Sequence, residues 1–250
     1  MIQDLHSHTY YSFCGQDTPQ AVIAAAIEGK IDLLGICDHN YGIAGQRAET
    51  AFHNQDIRLL DYQRSIDRYL DHLRLLQNAC RRKIKLLCGI EIATENQPHL
   101  LLPEGIDISH FDYCLIEHID REHSVVGDLF AFAQRCGCRK VGVAHTDIPS
   151  YLERTGQNTF DFFSHMAQYN IFWELNVNYD SIHGYREHAY VQRFLTDKRL
   201  QEIILNSGVQ LSVGFDGHRS AEYLPGRVHD CCRQLEALGV PLVFSKKGGN

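Results

Sequence analysis

The stretch Asp4-Leu5-His6-Ser7-His8, near the start of the 250-residue sequence, combines a short strand signal with two histidines. In an extended backbone, residues two apart point to the same face, so both imidazoles would lie on one side. Neutral imidazole nitrogens are good ligands for divalent transition metals. One such pair is common by chance, so its meaning depends on what the rest of the chain supplies.

Five later segments repeat this design, a short apolar run that stops at one or two residues able to bind a metal. The runs are rich in Val, Ile and Leu without the alternation of a half-exposed strand, which indicates strands buried on both faces of a parallel sheet. Ligands at the C-terminal ends of such strands would meet at one rim. The runs and their candidate ligands are 33–37 with Asp38 and His39, 86–90 with Glu91, 113–116 with His118, 141–143 with His145, and 211–215 with Asp216 and His218.

Helix signals fill most of the intervals between the apolar runs. Thr18 suits an N-cap, Pro19 suits a first helical turn, and Gly29 suits the end of that helix. The strongest pattern covers 59–79, where apolar side chains recur every three or four residues as on an amphipathic helix. Strands and helices in alternation around a shared rim predict a closed α/β barrel. Further helices are predicted at 124–137, 157–169, 187–207 and 226–238, and a further strand at 172–177.

The composition favours a single enzyme-sized domain over residues 1–250. A hydrophobic content of 44% is enough for one core, and no Pro/Gly/Ser-rich linker or internal repeat divides the sequence. The net charge of −7 argues against a nucleic-acid or anionic membrane partner. No apolar stretch approaches the ~20 residues of a membrane span, and because the predicted first strand comes so early we expect no signal peptide.

Cysteine usage points to a reducing compartment. The nine cysteines are odd in number and form no Cys-x-x-Cys pair. Several of them, such as Cys37, Cys88 and Cys114, lie inside the predicted strands. This pattern favours buried, reduced thiols in a cytoplasmic protein over a disulfide framework.

The ordered series of ligands resembles the motifs of the PHP family, the polymerase and histidinol phosphatase domain, over nearly the whole chain. The resemblance implies a distorted (β/α)7 barrel with two or three divalent metal ions at the C-terminal rim of the strands. Residues 144–149, 174–176 and 214–219 are most similar to the histidinol-phosphate phosphatase branch of the family. The identity of the metal stays open among zinc, iron and manganese.

The resemblance also implies how the ligands divide among the ions. A carboxylate can bridge two ions and offset their repulsion, which gives Glu91 a central place. The implied groups are His6, His8, Glu91 and Asp216 for one ion, Glu91, His118 and His145 for a second, and His39 with His218 for a third.

The chain departs from the family pattern shortly after the first two histidines. The family often places a third-site histidine there, whereas this sequence has Cys14 and Gln16 in the corresponding region. A Cys14 thiolate would complete a site with His39 and His218, because soft sulfur binds zinc or iron well. The alternative is that Cys14 only packs in the loop.

Phosphate-binding residues are harder to assign from the sequence. Arg219 directly follows the last ligand and is favoured, with Arg154 and Arg186 as alternatives, because a guanidinium binds phosphate bidentately. Residues 40–57 and 93–110 are long enough to form a lid. Most of the remaining histidines, His53 among them, are expected on the surface. His183 and His188 stand apart from that expectation because their loop lies near the predicted rim.

The leading hypothesis is a metal-dependent phosphomonoesterase that hydrolyses a small alcohol phosphate, similar to histidinol phosphate, through a metal-activated hydroxide. Its catalytic residues would be Glu91, Asp216, His218 and Arg219. Nucleotides, oligonucleotide ends and phosphotyrosine are alternative substrates within the same family. Hydrolysis of a C–N bond and a metal-binding module without turnover are alternatives of other classes. The oligomeric state is open.

Overall fold

Seven parallel strands follow one another around a barrel in chain order. The computed structural model describes residues 1–44 and 55–245. The first and last strands meet through a hydrogen bond from the Leu5 N–H to the Val213 carbonyl, 2.9 Å long, and a parallel bridge between Ser7 and Gly217. The predicted distorted (β/α)7 barrel is therefore confirmed. The strands are β1 (Gln3–Asp4), β2 (Leu33–Ile36), β3 (Lys85–Ile92), β4 (Tyr113–Ile116), β5 (Val141–Val143), β6 (Ile171–Asn176) and β7 (Leu211–Gly214).

Helices cover the outside of the barrel. The side chain of Thr18 accepts a hydrogen bond from the Ala21 N–H and caps the first helix, as predicted. The long predicted helix is confirmed and buries Ile66, Tyr69 and Leu73 against the strands. The described helices are α1 (Pro19–Glu28), α2 (Asn40–Ala44), α3 (Gln55–Cys80), α4 (Leu129–Cys136), α5 (Ile148–Thr155), α6 (Thr159–Gln168), α7 (Ala189–Thr196), α8 (Lys198–Ser207) and α9 (Pro225–Ala237).

The helices differ from the prediction in two places. The single helix expected over 187–207 is two helices, because the Asp197 side chain accepts hydrogen bonds from the N–H groups of Arg199 and Leu200 and starts a new helix. The helix α5 was not predicted. Asp147 caps it by accepting from the Ser150 N–H at 3.0 Å.

Two strand boundaries also differ from the prediction. The strand β1 is only two residues long, so His6 and His8 lie just beyond it. The strand β3 runs past Glu91 to Ile92, so Glu91 lies inside the strand instead of after it. The pairing continues beyond β2 as a bridge between His39 and Glu91, which places these two residues side by side.

The inside of the barrel has an apolar layer below a polar one. Side chains two apart on a strand share a face, so Leu87 and Glu91 both face inward. The apolar layer includes Tyr113 and Phe172, both almost fully buried, and the Tyr113 hydroxyl donates to the Leu5 carbonyl at 2.6 Å. The polar layer above it holds the candidate ligands.

Other general expectations can be compared with the described residues. All nine cysteines are free thiols, and all but Cys14 are buried. Within residues 1–44 and 55–245, no helix is both long and apolar enough to cross a membrane. The lid predicted at 40–57 lies partly outside the described residues, and its described ends are helical.

Adding a side chain at Gly89 tests how tightly the apolar layer is packed. A Cβ at Gly89 would lie 2.7 Å from both Cε1 and the hydroxyl oxygen of the buried Tyr113. We expect Gly89→Ala to lower the free energy of unfolding by about 1–3 kcal/mol, because overpacking forces neighbours from their preferred positions. Urea denaturation measures this change. The matched control is Gly226→Ala in α9, where a Cβ meets nothing within 4 Å. An equal loss in both variants would contradict the packing argument.

Candidate metal centre

The carboxylate of Glu91 lies at the centre of a cluster of imidazoles. It is fully buried, and neither of its oxygens has a hydrogen-bond partner. One oxygen, Oε1, lies 3.3 Å from Nε2 of His6 and 3.3 Å from Nε2 of His145. The other, Oε2, lies 3.4 Å from Nε2 of His8 and 3.1 Å from Nδ1 of His39. Each oxygen thus faces its own pair of ring nitrogens, which fits a carboxylate that bridges two cations.

Asp216 joins the first of the predicted ligand groups. Its Oδ1 atom lies 3.1 Å from Nε2 of His8 and 3.4 Å from Nε2 of His6. The two Nε2 atoms of His6 and His8 are themselves 3.1 Å apart. The structure therefore brings together His6, His8, Glu91 and Asp216, at separations close to those of ligands around a single ion.

The second group lies beside the first. The rings of His118 and His145 have centroids 4.7 Å apart, and His145 also reaches Glu91. Burial lowers the pKa of His118 to about 3, and the charges of His145 and Arg121 add to this effect. His118 is therefore neutral at pH 7, the form in which an imidazole binds a metal.

Glu117 lies beside this second group and was not predicted as a site residue. Its Oε2 atom lies 3.5 Å from Nε2 of His118, and the three side chains of Glu117, His118 and His145 could share one ion. Burial and the charge of Glu91 raise the pKa of Glu117 to about 8. Its position directly before His118 was a signal available in the sequence.

Cys14 lies next to the predicted third group. Ligand atoms of His8, Cys14 and His218 lie within 4.8 Å of one another, whereas the Gln16 side chain is exposed. Burial raises the pKa of the Cys14 thiol, but hydrogen bonds with His218 and His39 outweigh it and lower the pKa. The ring of His8 stacks on both His39 and His218, with centroids 4.6 Å apart in each case.

Asp38 holds the loop that carries Cys14 and is not part of the cluster. Its Oδ1 atom accepts hydrogen bonds from the Thr9 N–H at 2.6 Å and the Ser12 hydroxyl at 2.7 Å. Its Oδ2 atom accepts from the Thr9 hydroxyl at 2.7 Å. With both oxygens engaged by this loop, Asp38 has a positioning role.

Glu174 orients the first group and was not predicted as a site residue. Its Oε1 atom accepts from Nδ1 of His6 at 2.8 Å, and its Oε2 atom accepts from the His145 N–H at 2.8 Å. Such an outer carboxylate fixes the tautomer of a metal-binding histidine and directs its other nitrogen toward the ion. The sequence signal was an acidic residue in the middle of an apolar strand.

Three of the candidate ligands have a backbone that L-residues rarely adopt. The φ angles are 51° at His118, 27° at His145 and 56° at Asp216. Non-glycine residues with positive φ are uncommon, and such conformations concentrate at functional sites.

The predicted phosphate-binding arginines lie outside this cluster. Arg219 contacts Ser181 at 3.3 Å and Glu222 at 3.9 Å, and Arg154 donates to the Asp120 carbonyl at 3.4 Å. Arg186 is exposed. A role of Arg219 in phosphate binding stays a prediction that its contacts do not support.

Both histidines that the sequence set apart lie near the centre. Nε2 of His183 is 3.1 Å from Oδ2 of Asp216, and the ring of His188 is nearly parallel to that of His145, with centroids 6.4 Å apart. Among the other histidines, His99, His110, His123 and His165 are exposed as expected, and His53 lies outside the described residues.

The centre opens to solvent on one side. The side chains of His6, His8 and Glu91 are at most 1% exposed. By contrast, those of His39, His145, His118 and His183 are 11%, 12%, 23% and 24% exposed. A ligand would therefore approach over the second and third groups, with the first group beneath.

Seven parallel strands form a barrel, and histidines and carboxylates gather at the C-terminal rim of these strands. These features define an α/β-barrel protein with a candidate polynuclear metal centre. The profile of the PHP domain matches residues 4–218, and the chain belongs to the PHP domain family. No curated protein sequence gives a significant match.

Among solved structures, the chain resembles the histidinol phosphate phosphatase of Lactococcus lactis, in complex with zinc, L-histidinol and phosphate. The TM-score is 0.60 at 14% identity, covering 96% of this chain and 95% of that chain. It also resembles a Listeria monocytogenes protein named as a candidate histidinol phosphatase, with a TM-score of 0.45 at 13% identity, covering 88% of this chain and 96% of that chain.

Replacing the central carboxylate tests whether it bridges two ions. We expect Glu91→Gln to lower the content of bound metal by more than one ion per chain, because a neutral amide cannot offset the repulsion between two cations. Elemental analysis of purified protein measures the content. The matched control is Glu236→Gln, an exposed position at the end of α9, which should keep the content of the unaltered protein. Full metal content in Glu91→Gln would contradict the bridging role.

Two substitutions at Cys14 test the third group. We expect Cys14→Ser to lose about one ion per chain, because a hydroxyl is a much weaker ligand than a thiolate. Cys14→His should retain that ion, since it restores an imidazole. Elemental analysis after dialysis gives both values. Cys80→Ser, which alters a buried thiol of α3, serves as control. A metal content that is the same in Cys14→Ser and unaltered protein would mean that Cys14 only packs in the loop.

Proposed function

We propose that this protein is a metal-dependent phosphomonoesterase that releases inorganic phosphate from a small alcohol phosphate. The observation that carries the proposal is the environment of Glu91, whose buried carboxylate faces two imidazole nitrogens with each oxygen. Such a carboxylate fits a bridge between two divalent ions, the arrangement that stabilises both sides of an in-line displacement at phosphorus. Membership of the PHP domain family supports the same proposal.

The residues present fit divalent ions in three groups. When bound, such ions would neutralise charge on the phosphate oxygens and lower the pKa of a water molecule toward neutrality. Imidazole and carboxylate ligands suit zinc, iron and manganese, and the thiol at Cys14 favours zinc or iron at its own position. The proposed groups are His6, His8, Glu91 and Asp216, then Glu91, His118 and His145, and finally Cys14, His39 and His218.

The protein's own groups would set the geometry of the reaction. Glu174 holds Nδ1 of His6 and so leaves Nε2 directed at Glu91. His118 and His145 lie on the exposed side, so a phosphate ester would reach the centre there. The layer beneath them is closed to bulk water, which strengthens electrostatic interactions with the developing charge.

We propose histidinol phosphate, or an alcohol phosphate of similar size, as the substrate class. The Lactococcus lactis neighbour is described as a histidinol phosphate phosphatase, and its structure holds L-histidinol and phosphate. At 14% identity this likeness concerns the fold, so it sets the order in which substrates are tested. Within the proposal, Glu91, Asp216 and His218 act as metal ligands, and Arg219 is the first arginine to test for phosphate binding.

The test is phosphate release by protein reconstituted separately with zinc, iron(II) and manganese. The substrates are histidinol phosphate, nucleoside monophosphates and phosphotyrosine, with an amide substrate to detect C–N hydrolysis. We expect one small alcohol phosphate to be preferred, activity to be lost on chelation, and activity to return with added metal.

Glu91→Gln is the matched negative control and should lower kcat/KM by more than about 100-fold, beyond what the loss of an outer-shell partner costs. Preference for a nucleotide or phosphotyrosine would overturn the substrate class. Phosphate release that resists chelation, or an absence of hydrolysis with every metal, would overturn the proposed function itself.

A further inference from the structure

The buried Asp180 and the partly exposed His183 form a pair beside the metal centre, outside the ligand groups that the family resemblance implies. Asp180 is 1% exposed, and its Oδ1 atom lies 2.7 Å from Nδ1 of His183. The same oxygen accepts from the His183 N–H at 3.0 Å. These two contacts fix both the backbone and the ring of His183.

The ring of His183 is directed at a ligand of the first group. With Nδ1 donating to Asp180, the neutral ring keeps its lone pair on Nε2. That nitrogen lies 3.1 Å from Oδ2 of Asp216, whereas Oδ1 of Asp216 faces His6 and His8. A metal-binding imidazole is usually supported by a carboxylate that accepts a hydrogen bond from one ring nitrogen and leaves the other nitrogen directed at the ion.

The second oxygen of Asp180 points to another candidate ligand. Oδ2 of Asp180 is buried without a hydrogen-bond partner and lies 3.7 Å from Nδ1 of His218, which is also buried without a partner. Atoms of Asp180, His183 and His218 are close enough together to share an ion. One carboxylate thus contacts His183 and lies next to His218, on the side of the centre that Cys14 completes.

The loop that carries this pair is fixed from the other side. The Ser181 hydroxyl donates to Oε2 of Glu222 at 2.7 Å, and the Ser181 N–H approaches the same oxygen at 3.3 Å. Arg219 also contacts Ser181. Because Ser181 follows Asp180 directly, these contacts hold the Asp180 carboxylate in place beneath His183 and His218.

We propose that His183, oriented by Asp180, is an additional ligand of the metal centre and binds a borderline divalent cation such as zinc together with Oδ2 of Asp216. Asp216 would then contact two ions, one through each oxygen. The inference rests on the metal centre of the proposed function but not on its substrate. The competing explanation is a protonated His183 that forms an ion pair with Asp180 and Asp216 and has no part in metal binding.

Metal titration separates these two explanations without reference to activity. Metal-free protein is titrated with Co²⁺, and zinc affinity is measured by competition with a chromophoric chelator. We expect His183→Gln to lower the affinity for one ion by about 10-fold or more and to change the visible absorption of the cobalt protein. The affinities for the remaining ions should not change. The exposed histidine of α6 gives the control His165→Gln, which should leave every value unchanged.

A second pair of variants keeps the test decisive if His183→Gln is poorly folded. His183→Cys should retain the ion and add thiolate-to-cobalt charge-transfer absorption beyond that of unaltered protein. Asp180→Asn should lower the affinity for the same ion as His183→Gln does, because the amide no longer fixes the tautomer of the His183 ring.

The inference is overturned if well-folded His183→Gln keeps the stoichiometry, affinities and cobalt spectrum of unaltered protein, or if His183→Cys adds no thiolate absorption. Phosphate release by unaltered protein is measured separately. Its absence would remove the proposed function and leave the metal result standing.

Discussion

The structure depends on compensating the negative charge of carboxylates that are buried inside the barrel. Glu91 and Glu174 are fully buried, and Asp216 is nearly so. An unpaired carboxylate in such a place is very costly, because desolvation penalises the charged form. Here imidazoles surround these carboxylates. Burial raises the pKa of Glu91, but the charges of His6 and His39 outweigh burial and hold that pKa well below its usual range. Both oxygens of Glu91 lack hydrogen-bond partners, and divalent cations between these groups would satisfy the same charge more fully.

The barrel makes this arrangement possible by separating its two layers. Strand geometry places Leu87 and Glu91 on the same inward face, so one strand contributes to both layers. Below, Tyr113 fills the interior so tightly that Gly89 has no room for a side chain. Above, the strands end, and the candidate ligands His118, His145 and Asp216, which follow three of them, have positive φ. A rigid apolar layer thus supports a polar layer whose backbone is held in uncommon conformations.

Much of this could be predicted from the sequence, because a buried parallel strand leaves a clear apolar run and its ligand follows at a fixed place. Glu91 and His145 were predicted as ligands in this way, although Glu91 lies inside its strand and not after it. The supporting residues left weaker signals. Glu174 lies within a strand and Asp180 in a loop, and neither belongs to a short motif. Glu174 contacts His6 across the barrel, 168 positions away in the chain, whereas Asp180 contacts His183 in its own loop and lies near His218. Local chemistry also misled the prediction at Asp197, where a side-chain cap divides one amphipathic pattern into two helices.

A thiol in place of an imidazole would change which metals the proposed third group can bind. The first two groups offer nitrogen and oxygen donors, which suit manganese, iron and zinc alike. Cys14 would add a soft sulfur donor next to His39 and His218, and hydrogen bonds with these histidines lower the pKa of its thiol. Thiolate ligation favours zinc and iron over manganese, and it would bring a negative charge that the family's histidine does not. Asp38 fixes the loop that carries Cys14, so the thiol would meet an ion without rearrangement of the backbone. The selectivity of the centre for its metals would then be decided at its edge by Cys14, while Glu91 at the middle would set how many ions it holds.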